Sequence, residues 1–106
     1  MGVEITDDQQ RRRYELLVDG ELAALVTYGK KGDMLALTHT ETEPGFERQG
    51  YAKQLVTHIL DHAREEEIAV LPFCPFVRQF IVDHDDYLGL VPERYRANFE
   101  LAGAAS

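Results

Sequence analysis

Apolar residues recur with two different spacings in the two halves of the chain. Tyr14-Glu15-Leu16-Leu17-Val18 and Glu21-Leu22-Ala23-Ala24-Leu25-Val26-Thr27-Tyr28 are strand-like runs separated by Asp19-Gly20. Asp-Gly between apolar runs predicts a type I′ hairpin, because both central residues of that turn need positive φ. Gly29-Lys30-Lys31-Gly32-Asp33 predicts a second turn, and the run from Met34 to Thr42 a third strand. Period two along that strand puts Leu37, His39 and Glu41 on one face and Thr38, Thr40 and Thr42 on the other. Met1 to Gln10 are polar and aperiodic, and are expected to be loose.

After Pro44-Gly45 the spacing lengthens. Ala52, Leu55, Val56, Ile59, Leu60 and Ala63 fall on one face of an α-helix. Glu65-Glu66-Glu67 opposes the dipole at its C-terminal end, so the helix is expected to fray there. Ile68-Ala69-Val70-Leu71 lacks alternation, as a buried strand does. Pro72-Phe73-Cys74-Pro75 stops it, and Pro75 suits the first position of a second helix carrying Phe76, Val77, Phe80 and Ile81 on one side. Asp83-His84-Asp85-Asp86 ends that helix, and Tyr87 to Pro92 forms a short turn or helix. The order predicts an α+β sandwich, an antiparallel β-meander followed by α-β-α. One domain over residues 1–106 is expected, with a core from about 12 to 92 and both termini loose.

Charge and cysteine content narrow the function classes. Nineteen acidic against 11 basic side chains give −8 over 106 residues, which disfavours diffuse binding to nucleic acid or anionic membrane. Cys74 is the one cysteine, which excludes an internal disulfide and a multi-cysteine zinc cluster. No apolar stretch approaches the roughly 20 residues of a membrane span. A cytoplasmic protein without membrane or nucleic-acid partner is expected, as a monomer or weak homodimer. His58 and His62 stand four apart on the helix, but Ile59-Leu60-Asp61 between them lacks the glutamate of a His-Glu-x-x-His site, so no metal is expected.

The segment Glu47-Arg48-Gln49-Gly50-Tyr51-Ala52 sits where the long helix begins. A helix N-terminus offers unpaired N–H groups and the positive end of a dipole, so it can hold phosphate without a basic patch, although the same turn also serves ordinary packing. This turn resembles the R/Q-x-x-G-x-G/A pattern of the GNAT acyl-CoA N-acetyltransferases. The chain is similar in particular to a subgroup of minimal GNAT-like proteins, through His39-Thr40-Glu41, Gly50-Tyr51-Ala52, Cys74-Pro75-Phe76-Val77 and His84-Asp85-Asp86-Tyr87. The likeness spans roughly residues 14 to 92.

The resemblance implies a GNAT-like fold and acetyl-CoA as acyl donor to an unidentified small-molecule or protein amine. It implies a coenzyme A site at Thr40, Glu41, Arg48, Gln49, Gly50, Tyr51, Ala52, Lys53, Cys74 and Phe76. Glu47 stands where the pattern has Arg or Gln, yet Arg48 and Lys53 leave the segment at +1. Amide formation from a thioester needs a neutral amine, a stabilised oxyanion and a protonated leaving thiol. Glu41 or His39 is a candidate base, Tyr87 a candidate acid, and Cys74 a candidate activated thiol at a helix N-cap. For each the alternative is structural: a solvated strand end, a hydrogen-bonded histidine, a packing tyrosine, a buried cysteine. Two other functions fit the same residues, a non-catalytic acyl-CoA-binding module and an interaction domain with Phe73, Phe76 and Phe80 as its adhesive patch.

Overall fold

The computed structural model describes residues 2–101. Four strands form the antiparallel part of one sheet: β1 (Val3–Asp8), β2 (Arg13–Val18), β3 (Glu21–Lys31) and β4 (Met34–Thr42). Helix α1 (Tyr51–Glu65) leads to β5 (Val70–Pro72), which pairs parallel to β4 and completes the order β1-β2-β3-β4-β5. Helix α2 (Pro75–Asp83) follows, then a 3-10 turn (Asp85–Leu90), the short helix α3 (Glu93–Arg96) and a second 3-10 turn (Ala97–Phe99). The sheet with its helices matches the expected α+β class. No described helix is long and apolar enough to cross a membrane.

The Asp19-Gly20 turn has φ of 50° and 85°, as a type I′ turn requires. The next turn is tighter than expected, because Gly29, Lys30 and Lys31 still pair with Ala36, Leu35 and Met34. Ladder hydrogen bonds there outweigh glycine's weak strand preference. Helix α1 buries Leu55, Val56, Ile59, Leu60 and Ala63, the stripe that its spacing marks out. These pack with Leu16, Ala24 and Val26 of the sheet and with Val77 and Ile81 of α2.

Both ends depart from the expectation of loose termini. β1 pairs with β2 along its whole length, from Val3 opposite Val18 to Asp8 opposite Arg13. Its sequence has little apolar content, so backbone pairing with an otherwise open edge holds it, a contact no local pattern encodes. At the other end Phe99 and Leu101 are buried. Phe99 meets Phe73 edge-on at 5.1 Å, which packs the C-terminal segment beside the edge strand β5. Met1 and residues 102–106 lie outside the described residues.

Candidate functional site

The site begins with an irregularity in β4. Leu37 pairs with Tyr28 and His39 with Thr27, so Thr38 is an extra residue, a β-bulge. Thr27 and Tyr28 are consecutive and face opposite sides of the sheet. Leu37 and His39 therefore also face opposite sides, contrary to simple alternation. Leu37 is buried in the core, and Thr40, opposite the buried Val26, shares its face. Thr38, whose hydroxyl lies 2.8 Å from that of Thr27, turns to the other face with His39 and Glu41.

Beyond the bulge β4 loses its parallel neighbour. β5 pairs with Leu35, Ala36 and Leu37 only, and the Cys74 N–H donates to the Leu37 carbonyl at 2.9 Å as the last link. The sequence explains the departure: Pro72 ends the strand without an N–H, and Pro75 occupies the first turn of α2 with Cys74 as its N-cap. The Glu43 N–H donates to Ala23 of β3. Strand alternation then turns the backbone groups of Glu41 toward β3, and those of Thr40 and Thr42 toward the space that β5 vacates. Cys74 stands at the apex of this gap, 3% exposed, its Sγ donating to Thr40 Oγ1 at 3.2 Å.

The N-terminus of α1 opens beside the gap. Gly50 caps it at φ 78°, and among the described residues no side-chain cap hydrogen bond forms there. Arg48 also has positive φ, 63°, so the sign alternates along Arg48-Gln49-Gly50 and successive N–H groups converge. The Glu47 carboxylate accepts the Gly45 N–H at 2.9 Å, which engages the acid within its own loop. A cavity of about 310 Å³ lies here, with Thr42, Phe46, Arg48, Gly50, Lys53 and Phe76 in its wall. A Cβ built on Gly50 would meet no protein atom within 4 Å, so it would occupy open space at the cavity wall. Bare helix N–H groups, two cations and an open glycine fit a diphosphate-bearing group such as coenzyme A.

The structure thus gathers Thr40, Arg48, Gly50, Tyr51, Ala52, Lys53, Cys74 and Phe76 around the gap and cavity, with Gln49 exposed in the same loop. Thr42 and Phe46 belong to the wall as well. Thr42 is legible as the next residue on the Thr40 face, whereas Phe46 is placed by its edge contact with Tyr51 at 6.1 Å and by its N–H bond to the Glu43 carbonyl at 3.1 Å. His39 and Glu41 stand together, Nε2 to Oε2 3.8 Å, with side chains 63% and 55% exposed. They lie on the opposite face of β4 from α1.

Tyr87 is not brought to this site. Its hydroxyl donates to Asp61 at 2.6 Å, and Asp61 lies ten residues, roughly 15 Å, along α1 from Tyr51. The bond to Asp61, and then burial, hold the phenol above its ordinary pKa. Phe80 is buried against His84 and Tyr87, so Phe73, Phe76 and Phe80 do not form one patch. His58 and His62 are exposed on α1, and among the described residues no three metal-ligating side chains cluster.

The sequence profile of the GCN5-related N-acetyltransferases matches residues 13–90. The solution structure of a GCN5-like protein from Staphylococcus aureus superposes with a TM-score of 0.65 at 21% identity, covering 84% of this chain and 87% of that one. The ribosomal-protein-S18-alanine N-acetyltransferase from Escherichia coli superposes with a TM-score of 0.51 at 21% identity, over 66% of this chain and 42% of that enzyme. These likenesses bear on the fold. A search of curated proteins finds no match.

Proposed function

This chain belongs to the GCN5-related N-acetyltransferase family, and from that premise we propose that it transfers acetyl from acetyl-CoA to an amine that reaches the gap between β4 and β5 from the exposed face of β4. When bound, acetyl-CoA supplies the acetyl group as an activated thioester. The N–H groups following Gly50, with Arg48 and Lys53, would hold the diphosphate. The backbone groups of Thr40 and Thr42 would bind the extended arm in place of the strand that β5 no longer provides. Glu41, with His39 beside it, would take the proton of the incoming ammonium, for which the geometry offers direct access from solvent. Cys74, buried with its thiol donating to Thr40, is read as holding that strand in place, and transfer is read as going directly to the amine. A reducing cytoplasm suits a chain whose one cysteine is a free thiol.

The observation that carries this reading is the coincidence of two openings: β4 loses its partner after Leu37, where the uncapped N-terminus of α1 also lies. Saturating coenzyme A is expected to stabilise the chain by about 2.7 kcal/mol at a hundredfold excess over Kd. Gly50→Val should weaken that binding at least about tenfold, because its side chain enters the cavity and its φ is strained. Lys53→Ala, on an exposed helix position, gives a milder loss of the same sign. Calorimetry and thiol release with an amine panel read both steps. Coenzyme A binding undiminished by both variants would move the cofactor elsewhere.

A further inference from the structure

A second cavity, separate from the gap, lies where the C-terminal segment packs beside β5. It holds about 340 Å³, and Lys31, Leu71, Phe73, Arg78, Tyr95 and Phe99 form most of its wall. That volume is at the lower end of the roughly 300–1,000 Å³ of small-molecule sites. The chain carries −8, yet two cations and no carboxylate face this cavity.

Neither cation is neutralised within the described residues. Arg78 and Lys31 take part in none of the ion pairs there. Glu100 shares a neighbouring depression with Arg78 but does not pair with it. The Arg78 Nε is buried without a hydrogen-bond partner, and its terminal nitrogen reaches the Phe73 carbonyl only at 3.5 Å. Burying a donor of a charged group unpaired is costly, and a guanidinium has five N–H donors to satisfy. Three aromatic rings, Phe73, Tyr95 and Phe99, make up most of the remaining wall, with Leu71 and Asn98. Phe73 and Phe99 meet edge-on, and Lys31 Nζ lies 5.7 Å from the centre of the Tyr95 ring.

We propose that this cavity binds a small aromatic carboxylate, its anion paired with Arg78 and Lys31 and its ring packed among Phe73, Tyr95 and Phe99. A carboxylate can meet the two terminal nitrogens of a guanidinium with parallel hydrogen bonds; among the described residues those of Arg78 make only the long one to Phe73. A flat ring extends the existing aromatic cluster without displacing Leu71. The site requires neither coenzyme A nor the residues of the β4–β5 gap, so it stands or falls independently of the acetyl-transfer reading.

Phenylacetate and its neutral isostere phenylacetamide are the probes, titrated calorimetrically into the full chain without acetyl-CoA. Phenylacetate is expected to bind at least tenfold more tightly than phenylacetamide. Arg78→Gln should weaken phenylacetate at least tenfold and leave phenylacetamide unchanged. Lys31→Gln, at an exposed strand end, should weaken phenylacetate about threefold, and it preserves the test should Arg78→Gln fail to fold. Equal binding of the two probes, no binding of phenylacetate, or binding indifferent to Lys31→Gln and to any folded Arg78→Gln would overturn the proposal.

Discussion

Glu41 and His39 are the residues on which the proton transfer rests, and their setting makes them separable from cofactor binding. They occupy the exposed face of β4, whereas the cavity at Gly50 lies on the side of α1. Glu41→Gln is nearly isosteric, so turnover is expected to fall by about 10²-fold or more, the usual range for a lost general base, while coenzyme A affinity stays within about twofold. Unchanged turnover in Glu41→Gln and in His39→Gln across pH would mean that the amine arrives already neutral. Tyr28 makes a different prediction. Burial, and then the 2.7 Å bond its hydroxyl donates to Asp7, raise its pKa above the ordinary phenol value. The folded state therefore holds the phenolic proton more tightly than the unfolded chain. That contribution is fully present below a pH of about 10 and is lost as pH rises above it. Tyr28→Phe should flatten the alkaline fall in thermal stability, read by melting curves beside an ultraviolet tyrosinate titration.

At the scale of elements, the bulge in β4 divides the strand into two parts with different tasks. Before it, Leu35 and Leu37 face the core and pair with β5; after it, Thr40 and Thr42 keep the core face while β5 turns away. Deleting Thr38 removes the extra residue and makes the ladder regular, with Leu37 still opposite Tyr28 and His39 still opposite Thr27, so His39, Thr40, Glu41 and Thr42 keep their faces. The deletion removes the hydroxyl contact between Thr38 and Thr27 and straightens the local bend that the bulge imposes on the strand. The expected outcome is a retained fold with stability changed by about 1 kcal/mol, and acetyl transfer lowered through the altered bend of β4 at the gap, read by denaturant melts and thiol release. A deletion variant with parental stability and turnover would show that the bulge is dispensable.

Across the whole molecule, the C-terminal segment finishes a core that the sheet and two helices leave open at the β5 edge. An edge strand with unpaired backbone groups invites aggregation unless something covers it. Phe99 and Leu101 are buried there, and the Arg96 side chain donates to the Val91 carbonyl at 3.0 Å. Phe99→Ala is expected to cost about 3–5 kcal/mol. That loss should appear as a lower melting temperature and as concentration-dependent association above it, measured by light scattering. A melting temperature unchanged by Phe99→Ala would place the segment outside the cooperative unit.

Local chemistry determined most of the elements. The Asp19-Gly20 turn, the α1 stripe from Leu55 to Ala63, and the stop and restart between Pro72 and Pro75 each follow from backbone sterics or periodicity within a few residues. The open helix start at Gly50 was likewise legible, because the glycine and its neighbours are contiguous. Tertiary structure decided what distant residues do to one another. The bulge at Thr38 depends on how β3 pairs across from it, and alternation within β4 alone assigns Leu37 and His39 to the same face. β1 forms because β2 presents an edge, and Phe99 is buried because Phe73 is there to receive it. Tyr87, a candidate acid by resemblance, is held by Asp61, twenty-six residues away along the chain. Spacing along a sequence sets which residues share a turn or a stripe; which groups meet across elements is set by register and packing, where the free energy of burial selects one pairing among many.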